Sequence, residues 1–247
     1  MFSRFSRFIR ATALCLAFVS GVTQVYAEIP TLASRLGYTA PDLNPQVIQR
    51  AVAAMNCAVN HGAKPARRLA VIDFSLPSSQ QRLWIFDLKT GALLLQDLVA
   101  HGKGSGGNYA RTFSNLEGSH QSSIGLFRTR ESYIGKHGYS LRMDGLEPGI
   151  NDQARSRAIV IHAADYVDES WIDQQGRIGR SQGCPAVRPE VARMVVDNLK
   201  GGQFMFSYYP DEHWLATSKY LNCPGPEEGN LIAAVSKQGD LKPDRSR

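Results

Sequence analysis

Apolar side chains at Ile48, Ala51, Val52, Met55 and Val59 fall on one face when successive residues turn by 100°. Asn44 precedes Pro45 and Gly62 follows the run, so the spacing predicts a helix from Pro45 to about Asn60. Residues 28–44 lack that period and are expected as an irregular lead-in, making 28–67 an N-terminal lead-in and helix. From Arg68 the pattern becomes strand-like. Runs at 68–76, 82–88 and 92–100 read as strands, and Lys89-Thr90-Gly91 turns the second into the third as a hairpin. Further strands are expected over 123–130, 139–143, 158–162 and 203–209. A second helix opens at Pro189 and closes at Gly201-Gly202, with Val191, Met194, Val195 and Leu199 as its apolar stripe. Many short strands with two main helices predict an α+β fold built on a curved sheet or barrel-like sandwich. That unit spans 68–210, and an extension over 211–247, polar from Ser236, follows it.

The first residues change the setting. Arg4, Arg7 and Arg10 precede an apolar run over 11–19, and Val25-Tyr26-Ala27 supplies small residues where a signal peptidase cuts. Residues 1–27 are therefore expected as a signal peptide, and the protein as exported to the periplasm or cell envelope. A transmembrane anchor is the competing reading, but the run is shorter than the roughly 20 residues a bilayer requires. No other stretch is long and apolar enough to span a membrane. Removing the signal lowers the net charge from +6 to +3, which gives no support to a nucleic-acid partner. It also removes Cys15 and leaves Cys57, Cys184 and Cys223. An odd number in an oxidising compartment suggests one bridge and one free thiol. Cys57 lies half a turn from Ile48, so a bridge to Cys223 outside the helix is expected, with unpaired thiols the alternative.

Gly102-Lys103-Gly104-Ser105-Gly106-Gly107 matches a dinucleotide loop in its letters, but no helix follows to receive a pyrophosphate. The plainer reading is a mobile glycine loop at the edge of a cleft, and no cofactor is expected. No His-Glu-x-x-His or Cys-x-x-Cys pattern supports a metal site. The strongest chemical signal is the apolar run Ala158-Ile159-Val160-Ile161 that delivers His162, followed by Arg180-Ser181-Gln182-Gly183-Cys184-Pro185-Ala186-Val187. An unassisted thiol with a pKa near 8.5 is only about 3 % ionised at neutral pH, so a nucleophilic Cys needs an imidazole or a helix N-terminus beside it. His162 and the turn around Cys184 offer both. A buried Cys and a hydrogen-bonded strand-end His are the structural alternative.

Ile161-His162 followed by Ser181-x-Gly183-Cys184 resembles the active-site signature of the murein L,D-transpeptidases, the YkuD-type catalytic domains. Ser122-Ser123-Ile124-Gly125-Leu126-Phe127 and Gly135-Lys136-His137-Gly138-Tyr139-Ser140-Leu141 extend the similarity over roughly 69–210. The resemblance implies Cys184 as nucleophile and His162 as general base, with the backbone N–H groups of Gly183 and Cys184 as oxyanion donors. It also implies a backbone carbonyl, at Ala163, orienting His162, with Asp165 as the side-chain alternative. His137, Arg180, Ser181 and Gln182 are the candidate substrate contacts. The implied partners are peptidoglycan stem peptides, with carbapenem-type β-lactams as acylating inhibitors. Two positions depart from the pattern: Gln182 stands where the signature has His, and Ala186 where it has Arg. The His-to-Cys spacing is also long and implies an enlarged loop over 165–179. An L,D-carboxypeptidase or amidase using the same thioester, and a catalytically silent wall-binding module, are the rival readings.

Overall fold

The computed structural model describes residues 30–223; the expected signal peptide and the tail from Ser236 lie outside them. Eight strands form one mixed sheet: β1 (Arg68–Asp73), β2 (Leu83–Asp87), β3 (Leu93–Asp97), β4 (Gly125–Gly135), β5 (Gly138–Gly145), β6 (Val160–Ala163), β7 (Ala186–Val187) and β8 (Phe204–Tyr208). Their order is β3-β2-β1-β8-β4-β5-β6-β7. The pairs β1–β8 and β6–β7 are parallel, and the others are antiparallel. Beyond β3, Ala100 bridges Ala186 of β7, so the two edges of the sheet meet and the sheet nearly closes on itself. Closure leaves less unpaired edge exposed to other chains. The expected α+β class and curved, barrel-like sheet are present.

Alternation along the strands sorts the core into two faces. Leu69, Val71, Trp84, Phe86, Leu126, Phe204 and Phe206 face α2 (Pro45–Asn60), while Ala70, Ile72, Ile85, Phe127, Ile159, Ile161 and Met205 face α4 (Pro189–Leu199). Asn44 caps α2 through its side chain, with Pro45 at the first position, as the sequence indicated. The β2–β3 hairpin turns at Gly91, whose φ of 77° favours glycine, and Asp87 Oδ1 accepts the N–H groups of Lys89 and Thr90.

Three expectations need correction. The lead-in contains a helix, α1 (Leu32–Thr39), capped by Thr31 and packed on α2 through Leu32, Ala33 and Leu36. Two further short helices, α3 (Glu169–Gln175) and α5 (Glu212–Thr217), raise the number among the described residues from two to five. The stripe of α4 is displaced: Ala192, Val195, Val196 and Leu199 are buried, while Met194 is exposed.

Cys57 and Cys223 are bonded, across 166 residues of sequence. Cys57 is itself buried, because the segment carrying α5 folds back over α2 and brings the Lys219 carbonyl to its sulfur. The same segment is held at Glu147, whose buried carboxylate accepts from Leu126 N–H, Trp214 Nε1–H and the Ser218 hydroxyl. Replacing Cys57 by Ser should lower unfolding free energy by about 2–5 kcal/mol, measured by urea denaturation. A loss below about 0.5 kcal/mol would mean that Glu147 and Trp214 hold this segment without the bridge.

Candidate active site

The parallel register of β6 and β7 sets His162 opposite Ala186 and Ala163 opposite Val187. Cys184 stands two residues before Ala186 and Val160 two before His162, so the sulfur comes level with Val160. The Val160 N–H donates to Cys184 Sγ at 3.5 Å, and the thiol donates to the Ala158 carbonyl at 3.7 Å. His162 therefore sits on β6, and Cys184 in the turn that leads into β7, its sulfur against the backbone of residues 158–160. Ala158 adopts φ 53°, a left-handed conformation that costs a non-glycine residue roughly 1–2 kcal/mol. Such strain persists where the surroundings enforce it, and here it accompanies a carbonyl turned toward the thiol.

His162 is buried, and its Nδ1 lies 2.7 Å from the Ala163 carbonyl. A carbonyl only accepts, so Nδ1 carries the proton and Nε2 is left with its lone pair. Ala163 thus occupies the orienting position; Asp165 is exposed in the following turn and makes no hydrogen bond to His162. Burial pulls the His162 pKa below its ordinary value, with the charges of His137 and Lys136 acting in the same direction against the Ala163 bond. The imidazole is consequently neutral at pH 7. Burial pushes the Cys184 thiol up, opposed by the Val160 N–H and by the charges of Arg157 and Lys136. The resting pair is a neutral thiol with a neutral imidazole. Cys184 is the free cysteine among the described residues.

The remaining predicted residues divide. His137, at the tip of the β4–β5 hairpin, stacks on His162 with ring centroids 4.4 Å apart. Ser181 is buried and shapes the Cys184 turn: its hydroxyl donates to the Cys184 carbonyl at 2.6 Å and accepts the Gly183 N–H at 3.0 Å. The Gly183 N–H is therefore engaged, whereas the Cys184 N–H has no acceptor among the described residues. Arg180 is exposed and bonds the Gly106 carbonyl at 2.8 Å, and Gln182 is exposed. Ala186 is fully buried among Leu98, Ala100, Val167 and Ile178, in a space that excludes an arginine.

The glycine loop is part of this site. Lys103 N–H donates to the Ser181 carbonyl, Ser181 N–H to the His101 carbonyl, and Gly104 N–H to the His120 carbonyl. A Cβ on Gly102 would lie 2.2 Å from His120 O and 2.8 Å from Gly183 Cα, so only glycine lets these three backbones meet. The loop is a wall of the Cys184 turn, tied down by hydrogen bonds rather than mobile. Behind it, fully buried Arg82 donates to His101 Nδ1 at 2.7 Å, and burial together with that cation takes the His101 pKa down to about 3. The enlarged loop after β6 contains α3 and returns through Gly179, where Tyr166 packs so closely that a Cβ would strike it at 2.4 Å. Sequence reading missed Arg157 and Lys136, whose charges reach Cys184, and Tyr166, whose hydroxyl the Cys184 charge reaches.

The family profile described as the L,D-transpeptidase catalytic domain matches residues 39–208. The chain belongs to that family. Within the L,D-transpeptidase domain so delimited lie β1 to β8, His162 and Cys184. Solved structures similar to it include an L,D-transpeptidase from Mycobacterium smegmatis, at 14 % identity over 58 % of this chain and 59 % of that one, with a TM-score of 0.37. The L,D-transpeptidase LdtMt1 in complex with imipenem is 15 % identical over 57 % of this chain and 59 % of its own, with a TM-score of 0.35. An L,D-transpeptidase from Stackebrandtia nassauensis is 15 % identical over 67 % and 65 %, with a TM-score of 0.34. The chain spans about 59 % of the length of the first two of these relatives. Comparison with curated proteins gave no match.

Proposed function

We propose that this protein is an exported, cysteine-dependent acyltransferase that forms L,D cross-links between peptidoglycan stem peptides through a thioester on Cys184. The reading is supported above all by a free thiol in the turn that enters β7 and a neutral imidazole on the paired strand β6, within an L,D-transpeptidase domain. His162 Nε2 takes the thiol proton as Sγ attacks the carbonyl of the L-centre residue at stem position three. The tetrahedral oxyanion draws on the Cys184 N–H, and on the Gly183 N–H once Ser181 releases it. Collapse breaks the bond to the terminal D-amino acid, whose amine leaves with the proton from His162. An amine of a neighbouring stem then attacks the thioester and gives its proton to His162, and the thiol is restored. No helix among the described residues is long and apolar enough to cross a membrane.

Purified protein incubated with disaccharide-tetrapeptides is the test, read by product mass. Cross-linked dimers are expected. Trimmed monomers without dimers would instead establish the L,D-carboxypeptidase or amidase reading, and unchanged substrate the silent wall-binding module. A carbapenem should add its mass once, on the peptide containing Cys184.

A further inference from the structure

Arg157 stands immediately before the left-handed Ala158 and reaches across the back of the nucleophile turn. Its Nη1 donates to the Ser114 carbonyl at 2.6 Å and the Ser123 hydroxyl at 2.7 Å; its Nη2 donates to the Gln121 carbonyl at 2.7 Å and the Ser119 hydroxyl at 3.2 Å. The guanidinium is half-buried and has no carboxylate among these partners. It also lies against the nucleophile turn, its Nη2 3.6 Å from where a Cβ of Gly183 would project. A fixed cation with neutral partners keeps its charge for whatever anion forms next to it. A mere strut could have been built from neutral groups.

We propose that Arg157 is a positioning residue for Cys184, bracing the 114–123 segment against the nucleophile turn while holding a positive charge at Gly183, the residue before the sulfur. The inference rests on the reading of Cys184 as the nucleophile. The charge favours the thiolate as the proton leaves for His162, and the four-point brace keeps that charge from swinging into water. Other groups whose charges are coupled to the same sulfur are Lys136 from the β4–β5 hairpin and Tyr166 from the loop after β6; Glu117 faces Arg157 itself. Lys136 is exposed at the hairpin tip, whereas Arg157 is pinned by its bonds.

The test is the rate of iodoacetamide alkylation against pH, followed by mass on the peptide containing Cys184, with thermal unfolding measured in parallel. Arg157→Gln should displace the profile to higher pH and slow alkylation at pH 8 about tenfold, one pKa unit. Arg157→Lys, which keeps the charge, should stay within about threefold of wild type, although losing the brace lowers its Tm. A folded Arg157→Gln protein with the wild-type profile overturns the proposal. Should that variant fail to fold, Lys136→Met protein supplies the decision. Relative to free cysteine, its Cys184 should favour anionic iodoacetate over iodoacetamide by about threefold or more, because a fixed cation attracts the anion. A ratio equal to that of free cysteine overturns the proposal. Neither failure touches the nucleophile reading, which is judged by products and by Cys184→Ala.

Discussion

Cys184→Ala is expected to abolish turnover of disaccharide-tetrapeptides and His162→Ala to slow it severely, and the double variant should be no worse than Cys184→Ala alone. Groups that act as one unit lose their effect together, so their costs do not add. With Ala at 184 no thioester forms, and neither the peptide nor a carbapenem leaves a covalent mass. With Ala at 162 the thiol remains, but burial holds it protonated and nothing accepts its proton, which should slow acylation by about 10²–10⁴-fold. The pH dependence has a definite sign. Because the His162 pKa is depressed, its basic form persists as pH falls through the ordinary histidine range, so the acid limb of carbapenem acylation should have its midpoint below 6.5. Stopped-flow acylation between pH 4.5 and 8 measures it. A midpoint at or above 6.5, or a His162→Ala protein acylating at the wild-type rate, would remove His162 as the base.

His162 and Cys184 were legible in the sequence because their signals are local: an apolar strand ending in His, and a Gly-Cys-Pro turn ahead of a helix. The Ala163 carbonyl was legible for the same reason, being one residue from the imidazole it holds by a hydrogen bond. Arg157 was not. Beside Arg155 and Ser156 it reads as solvated surface, and its role comes from partners 34 to 43 residues away. The α1 helix escaped notice because Gly37 sits inside it and lowers its intrinsic propensity, while its stability comes from packing on α2. On α4 the count of large apolar residues favoured Met194, but the sheet surface accommodates the smaller Ala192 and leaves the flexible Met outside. The glycine loop was visible as a motif, yet its use depends on His120 and Gly183 approaching it, which no local pattern encodes.

Arg188→Met is expected to destabilise the protein by about 3 kcal/mol and lower Tm by roughly 10 °C. Arg188 stands at the N-terminal boundary of α4, four residues after Cys184, and its side chain clamps Asp97 at the end of β3 through two bonds of 2.8 and 2.7 Å. The Asp97 side chain is 2 % exposed, whereas that of Arg188 is 29 % exposed. The cost therefore falls near the low end for a broken buried pair: the cation returns to water easily, but the carboxylate stays behind with the Leu98 N–H. Asp97→Ala with Arg188→Met should recover part of the loss by removing that stranded charge. The pair also joins the two sheet edges that meet at Ala100 and Ala186, directly beyond the Cys184 turn. The single variant should consequently lose carbapenem acylation rate at temperatures where it is still folded, and the double variant should not regain it. If acylation in Arg188→Met falls only in proportion to the unfolded fraction, closure of the sheet at β7 contributes stability alone and does not set the geometry of the Cys184 turn.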